Sequence, residues 1–288
     1  MLKHIGYSIF KLLLFLDKLF KNIFKKSFLI HFKIFIEKSL YKEIKILDTD
    51  VKFFTPNSLV AWRVDTFFSK EPETLKWIDN FKGRNLTFWD IGANIGLYSI
   101  YNALKNSNST TYSFEPSTLN LRTLSRNISL NNLEEKIKIF SLPLSNKKNS
   151  FLEMKEGNFT EGAALNTFGE SFNYDGKNFI SENKYYLLGT TIDYLIDQKI
   201  LEIPDYIKID VDGIEHLILE GASSCLKEKK IKSLSIEINE NFEDQLNRIF
   251  KIMRDNNFIL KSKSNNSDFF DKNSKFSNIL NYIFVRND

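Results

Sequence analysis

The sequence predicts an α/β fold in which a largely parallel sheet carries helices on both faces. Three observations carry that expectation. Short β-rich runs alternate with helically spaced segments from residue 86 onward. A chain of 288 residues with 42% hydrophobic composition can bury a substantial core. The first β-rich run passes into a helix through a glycine-bearing turn, FWDIGANIGLYS, residues 88–99. Sheets of this kind take ligands beyond the carboxyl ends of their strands, so the turn marks where a site is sought.

Residues 1–47 are read as a basic, amphipathic helical segment, because apolar clusters alternate there with lysines every three to seven residues. Residues 1–46 hold ten lysines against Asp17, Glu37 and Glu43, a net charge of +7. Residues 47–288 hold 30 basic and 33 acidic residues, so the remainder is weakly acidic. Nucleic acid is therefore not expected as a partner, since phosphate binding needs lysines and arginines clustered on the binding face. The uncharged runs fall far short of the roughly 20 residues that cross a bilayer. No small-residue cleavage site follows a clean apolar run. Two readings of residues 1–46 stand: helices lying on an anionic membrane surface, or a helical pair capping the next domain or a dimer partner. Cys225 is the single cysteine, which excludes an internal disulfide framework and fits a reducing compartment. The expected location is cytoplasmic, with peripheral membrane contact on the first reading.

Residues 48–85 form a lead-in. VKFFTPNSLVAWRVDTFF reads as two short strands around a Pro-Asn-Ser turn, and KEPETLKWIDNF as a helix with Pro72 in its first turn. Residues 86–288 hold the alternating domain. LTFWDI, TTYSFE, IKIFSL, YIKIDV, SLSIEI and NYIFV read as strands, and GLYSIYNALK, STLNLRTLSRNISL, IEHLILEGASSCLK and NFEDQLNRIFKIMRDN as helices. Residues 146–189 interrupt the series with a polar, aromatic-rich insertion, expected as a β-rich excursion over the substrate entrance. KSKSNNSDFFDKNSKFSN, before the last strand, reads as a surface loop.

The opening turn has its own chemistry. A strand ending at Asp90 and turning through Gly92, Asn94 and Gly96 into a helix presents backbone N–H groups to a ligand. Asn94 tolerates positive φ. The dinucleotide fingerprint G-x-G-x-x-G and the Gly-Lys-Ser/Thr of a phosphate loop are both missing. TTYSFEPS ends its strand at Glu115, twenty-five residues after Asp90, where an acid can accept both ribose hydroxyl hydrogens. Asp90 would favour a cationic ammonium. S-adenosylmethionine has both a free ribose and such an ammonium.

With YIKIDVDGIEHLILEGA the chain resembles the FkbM family of S-adenosylmethionine-dependent methyltransferases, whose typical strings look like FWDIGANIGLYS, FEPS, TTIDYL, IKIDVDGIEHLILEGA and IEIN. The resemblance spans roughly residues 50–285. It implies a class I methyltransferase, Rossmann-like fold with a seven-stranded, mostly parallel sheet and an antiparallel last strand, here preceded by N-terminal amphipathic helices. It implies that Asp90, Gly92, Asn94 and Gly96 surround the methionine part and that Glu115 holds the ribose. Ala93, Leu97, Pro116, Ser117, Leu142 and Asp210 complete the implied cofactor set, with SLPLS, residues 141–145, standing where an adenine-binding acid is often found. Asp212 stands where many members have Glu.

Methyl transfer to a sugar hydroxyl benefits from a base beside the acceptor oxygen. Asp210, Asp212, Glu215, His216 and Glu237 are candidates at the carboxyl edge, with His216 favoured because its ordinary pKa is nearest neutrality. Each has a structural alternative. His216 could lie on an exposed helix face, Asp212 could cap the helix, Glu237 and Asn239 could make structural hydrogen bonds, and Lys208 could serve a neighbouring carboxylate. No metal is required by the spacing. The expected function is O-methylation of a sugar hydroxyl on a glycan or glycolipid precursor, by a chain that could be a homo-oligomer. A nicotinamide-dependent oxidoreductase and a non-catalytic, membrane-docked scaffold are the alternatives.

Overall fold

The computed structural model describes residues 1–178, 180–264 and 276–287. The chain divides into two compact units, Met1–Lys42 and Glu43–Asp288.

The first unit holds α1 (Leu2–Phe24) and α2 (Leu29–Ser39). The first N–H groups of a helix have no partner within it. Asp17, from the middle of α1, supplies an acceptor for those of α2. Its carboxylate accepts the Ser27 hydroxyl at 2.8 Å and the N–H groups of Phe28 and Leu29 at 2.9 and 3.2 Å. Lys21, one turn along, lies 3.1 Å from the same carboxylate. No helix among the described residues is long and apolar enough to cross a membrane. The helical pattern stops earlier than residue 47. β1 (Tyr41–Ile46) follows and pairs with β2 (Thr49–Phe54). Leu47 and Asp48 both take positive φ, 46° and 64°, which suits a two-residue hairpin turn.

The lead-in departs from expectation after β2. Residues expected as a second strand form α3 (Ser58–Asp65) and α4 (Phe67–Lys70). Asn57 starts α3 by accepting the Val60 N–H at 2.9 Å, so the Pro-Asn-Ser turn is a helix cap rather than a strand reversal. α5 (Pro72–Asp79) begins, as expected, with Pro72 in its first turn.

The main sheet uses β3 (Thr87–Ile91), β4 (Thr110–Phe114) and β5 (Ile137–Phe140), joined by α6 (Leu97–Lys105) and α7 (Thr118–Leu130). The insertion then makes β6 (Ser150–Glu156), β7 (Thr167–Phe168) and β8 (Asn183–Gly189), a separate three-stranded antiparallel sheet. After α8 (Ile192–Asp197) the main sheet resumes with β9 (Tyr206–Ile209), α9 (Glu215–Glu220), β10 (Ser233–Asn239), α10 (Glu243–Asp255), β11 (Phe258–Ser264) and β12 (Ile279–Arg286). Its seven strands run in the order β11-β12-β10-β9-β3-β4-β5. β12 is antiparallel to both neighbours, and β3, β4, β5, β9 and β10 are parallel.

β11 takes in Lys261–Ser264, where the sequence predicts a loop. The rest of that expected loop, residues 265–275, lies outside the described residues. Its polar residues hide this strand, because it lies at the sheet edge beside β12 alone and most of its side chains face water. α9 is shorter than its periodicity suggests. Its end at Gly221 approaches another backbone so closely that a Cβ there would lie 2.2 Å from the Ser145 carbonyl oxygen.

Successive strand residues point to opposite faces. Phe88 belongs to the core on one side with Val60, Ile78 and Ile100. Trp89 belongs to the core on the other with Ile209, Ile218 and Ile236. β3 is buried along its whole length, as a central strand covered on both faces must be. Its carboxyl end, with those of β4, β9 and β10, is thereby held rigidly at one edge.

Candidate active site

The turn after β3 is set by backbone proximity. Gly92 has φ +87°, and a Cβ there would sit 1.8 Å from the Asp210 carbonyl oxygen at the end of β9. The N–H groups of Gly92 and Ala93 both donate to the Phe114 carbonyl at 3.0 Å, which draws the turn toward β4. Asn94, at φ +50°, then donates its N–H to Glu115 Oε2 at 2.7 Å. Glu115 Oε1 accepts the Ser117 N–H at 2.9 Å. Burial pushes the Glu115 carboxyl up to about 8 against these two donors, and the charges of Asp212 and Glu156 add to the rise.

The end of β9 and the turn after it bring three further charges, Lys208, Asp210 and Asp212. Lys208 is 2% exposed, and its Nζ lies 2.6 Å from Asp210 Oδ2 and over the Tyr98 ring. Burial alone would lower its pKa, but the charges of Asp210, Asp90 and Glu71 raise it on balance. Asp212 takes positive φ, 63°, and accepts the N–H of Leu165 at 2.7 Å and that of Asn166 at 3.4 Å. Its carboxyl is pushed up to about 6 by burial and then by the Asp210 charge. Asp212 therefore does not cap α9. The carboxylate that closes this turn is Glu215, which accepts the N–H groups of Val211 and Gly213 at 3.0–3.2 Å.

Two clefts open on this edge. The first encloses about 580 Å³ between the β3 and β9 turns, with Glu115 in its wall and Leu142, Met154, Phe168, Ile214 and Ile218 as apolar lining. The second encloses about 1240 Å³ and is lined by lead-in residues Trp62, Arg63, Lys70, Glu71 and Glu73, with Asn158, Asp212, Glu237 and Asn281. Ala163 and Asp212 line both. The insertion is strapped across this shared wall. Asn94 and Asn120 each donate a side-chain N–H to the Ala163 carbonyl, at 3.0 and 3.1 Å, while Arg63 donates to the Gly162 carbonyl at 2.6 Å.

Glu71, Asp210 and Glu237 bring carboxylate oxygens within 4.8 Å of one another. Lysines already compensate part of that charge. Lys70 pairs with Glu71, and Lys208 with Asp210. Burial would raise Glu71, yet Lys70 and Lys208 bring it down to about 2, and Tyr98 donates to it at 2.8 Å. Burial, and after it the charge of Asp210, raises Glu237 well above the usual carboxylate range.

Of the residues singled out in the sequence, Gly92, Asn94, Glu115, Pro116, Leu142, Asp210 and Asp212 line the first cleft, and Glu237 lines the second. Ala93 and Leu97 line a smaller recess with Gly92, Lys70 and Lys208. Gly96 packs on Leu124 instead, and Ser117 caps α7 by accepting the Asn120 N–H. Asp90 is 1% exposed and lines none of these recesses; its Oδ2 accepts the Ser99 hydroxyl at 2.5 Å. His216 is not on an exposed face. It is buried between Phe172 and Phe242, away from the clefts, and burial followed by the Arg248 charge pushes its pKa down to about 4. Asn239 serves structure, donating to the Tyr174 carbonyl at 2.9 Å. Lys208 serves the carboxylates, as its place in the strand suggested. Sequence reading missed Arg63, Lys70, Glu71 as a site group, and Asn120. Lys70–Glu71 carried a faint signal, an adjacent opposite-charge pair ahead of a Pro-initiated helix.

The residues fit S-adenosylmethionine. The first cleft joins a carboxylate with lone pairs free for ribose hydroxyls to an apolar slot for a flat base, and the Gly92 turn leaves no room for a side chain. A sheet in this strand order, with this cleft at the parallel strand ends, has the class I methyltransferase, Rossmann-like fold. The chain belongs to the FkbM methyltransferase family: the model of the methyltransferase FkbM domain matches residues 90–260, more than half of its length. It is thus an S-adenosylmethionine-dependent methyltransferase. A comparison with curated proteins finds no match. Among solved structures the chain is similar to methyltransferase FkbM from Methylobacillus flagellatus KT, at 13% identity and TM-score 0.46, covering 80% of this chain and 62% of that one. It is also similar to precorrin-6y C5,15-methyltransferase from Geobacter metallireducens GS-15, at 12% identity and TM-score 0.43, covering 76% and 87%. A third similarity is to M. capricolum TrmK in complex with S-adenosylhomocysteine, at 14% identity and TM-score 0.42, covering 74% and 66%.

Proposed function

We propose that this chain methylates a sugar hydroxyl of a glycan or glycolipid precursor, with Glu237 as the base. The observation that carries the reading is Glu237 itself. Its carboxylate lines the second cleft, accepts no hydrogen bond among the described residues, and has its proton affinity raised by burial. A carboxylate left unpaired beside a cleft can take the proton of an acceptor hydroxyl. His216 cannot fill this role from between two phenylalanines.

The lining of the second cleft supports a sugar. Trp62 is partly exposed and offers a flat apolar face, while Glu73, Asn158 and Asn281 offer acceptors and donors for hydroxyl groups. Glu115 would hold the ribose of the cofactor, the Gly92–Asn94 turn and its recess the methionine part, and Leu142, Met154 and Ile214 the adenine. S-adenosylmethionine supplies a sulfonium methyl group open to in-line attack. The protein's part is positioning, for which good alignment can contribute about 7–11 kcal/mol. Asp212 and Ala163, common to both clefts, mark where acceptor and cofactor would meet.

The test is transfer of radiolabelled methyl from S-adenosylmethionine to a panel of neutral oligosaccharides and sugar lipids, beside peptides and phenolic small molecules. Label in sugars, lost in Glu237→Gln, supports the reading. Label confined to peptides or phenols would remove the sugar acceptor, and full activity of Glu237→Gln would remove the base.

A further inference from the structure

Helix α1 carries a surface that methyl transfer does not use. Ile5, Ile9, Leu12, Leu16, Leu19 and Ile23 recur at alternating steps of four and three along it. Such steps place side chains on one helical face. All six are exposed, from 43% at Leu16 to 72% at Ile23. Lys3, Lys11, Lys18 and Lys21 fall on the opposite arc. Asp17 is the one acidic residue of α1, and it is buried and committed to the start of α2. α2 adds exposed Ile30, Ile34 and Phe35 beside Lys33 and Lys38.

Two occupants could cover such a face: a second copy of the helix or a lipid surface. The step pattern by itself would suit a two-stranded coil. Charge decides against it. A second copy would bring one segment of net charge +7 against another, with no acidic side chain on α1 left to offset it. An anionic bilayer offers apolar depth to the exposed face and negative headgroups to the lysines. Phe15 and Phe20 flank the six-residue row on its two sides and are exposed too, so the apolar arc is broader than a paired coil would bury.

We infer that residues 1–39 are a membrane-surface hairpin that lies on anionic phospholipid through the apolar face of α1, its bend fixed by the Asp17 carboxylate. This does not depend on the identity of the acceptor. The full-length protein is to be sedimented with phosphatidylcholine vesicles, with and without about 30% phosphatidylserine. Binding should appear with the anionic vesicles and fall at least about tenfold between roughly 0.1 M and 1 M salt, over which the screening length shortens from about 10 Å to about 3 Å. The pair Leu12→Glu and Leu16→Glu should abolish it while S-adenosylmethionine binding stays unchanged, which shows that the methyltransferase domain of the variant is folded. A wild-type protein that stays in the supernatant with anionic vesicles would overturn the inference. So would a concentration-dependent dimer that the double substitution dissolves without any vesicle binding by wild type, since that outcome makes a second copy the occupant.

Discussion

Replacing Glu115 by Gln separates the carboxylate from its shape. Two backbone donors, the N–H groups of Asn94 at 2.7 Å and Ser117 at 2.9 Å, converge on its two oxygens. A glutamine retains one oxygen and turns an NH2 group toward the other donor. Leaving a buried N–H unmatched costs about 1–3 kcal/mol, which in a domain of this size lowers the melting midpoint by about 2–12 °C. Cofactor binding should suffer separately. Hydrogen bonds to a charged group are worth about 1.5–3 kcal/mol, so losing the ribose acceptors should weaken S-adenosylmethionine by about ten- to 150-fold. Calorimetric titration of both proteins measures this. The pH profile adds a second readout. Because burial pushes Glu115 up to about 8, the free protein carries a proton there at neutral pH. If ribose takes the ionised form, wild-type affinity rises with pH up to about 8 with proton release, and the Gln variant loses that dependence. An Glu115→Gln protein that binds within twofold of wild type, with an unchanged midpoint, would refute both the ribose contact and the role in the turn.

Gly92→Ala should destabilise by about 2–5 kcal/mol, combining about 1–2 for a side chain at positive φ with about 1–3 for displacing the Asp210 backbone. Gly6→Ala, with nothing within 4 Å, should leave the melting midpoint of the methyltransferase domain unchanged in the same scan. Glu237→Gln should reduce turnover by about 10²–10⁴ with S-adenosylmethionine affinity intact, and wild-type turnover should rise with pH as Glu237 ionises, a dependence read from initial rates. Lys208→Met should cost about 3–5 kcal/mol in urea unfolding, because it leaves Asp210 and Asp90 without their buried cation. Glu215 is raised by burial from an ordinary 4.5 to about 8, so its protonated form favours folding. That contribution is complete below 4.5 and is lost as pH rises through about 8; thermal midpoints of Glu215→Gln should lack this part of the decline.

How much of this was legible beforehand depends on how local the signal is. The strands β3, β4, β9, β10 and β12 and the turn at Gly92 are written in short apolar runs and in glycine, because strand period and backbone freedom act over a few residues. Glu115 was legible for the same reason, as an acid at the end of the strand after that turn. The helix at Ser58–Asp65 was not, since Asn57 serves as turn and cap alike and only the Val60 N–H shows which. β11 was hidden by its polar, edge character.

The α/β class, the glycine-bearing turn after β3 and the family are written in the chain itself, since these rest on residues adjacent in sequence. Which titratable groups face the clefts is set by packing between elements far apart in the chain. It put His216 between phenylalanines and Asp90 against Ser99, and it left Glu237 open. It also drew Glu71 and Lys70 from the lead-in onto Asp210 and Glu237, more than a hundred residues away in sequence. Periodicity assigns a residue to a face of its own element, whereas burial, charge compensation and pKa arise from what distant elements pack against that face.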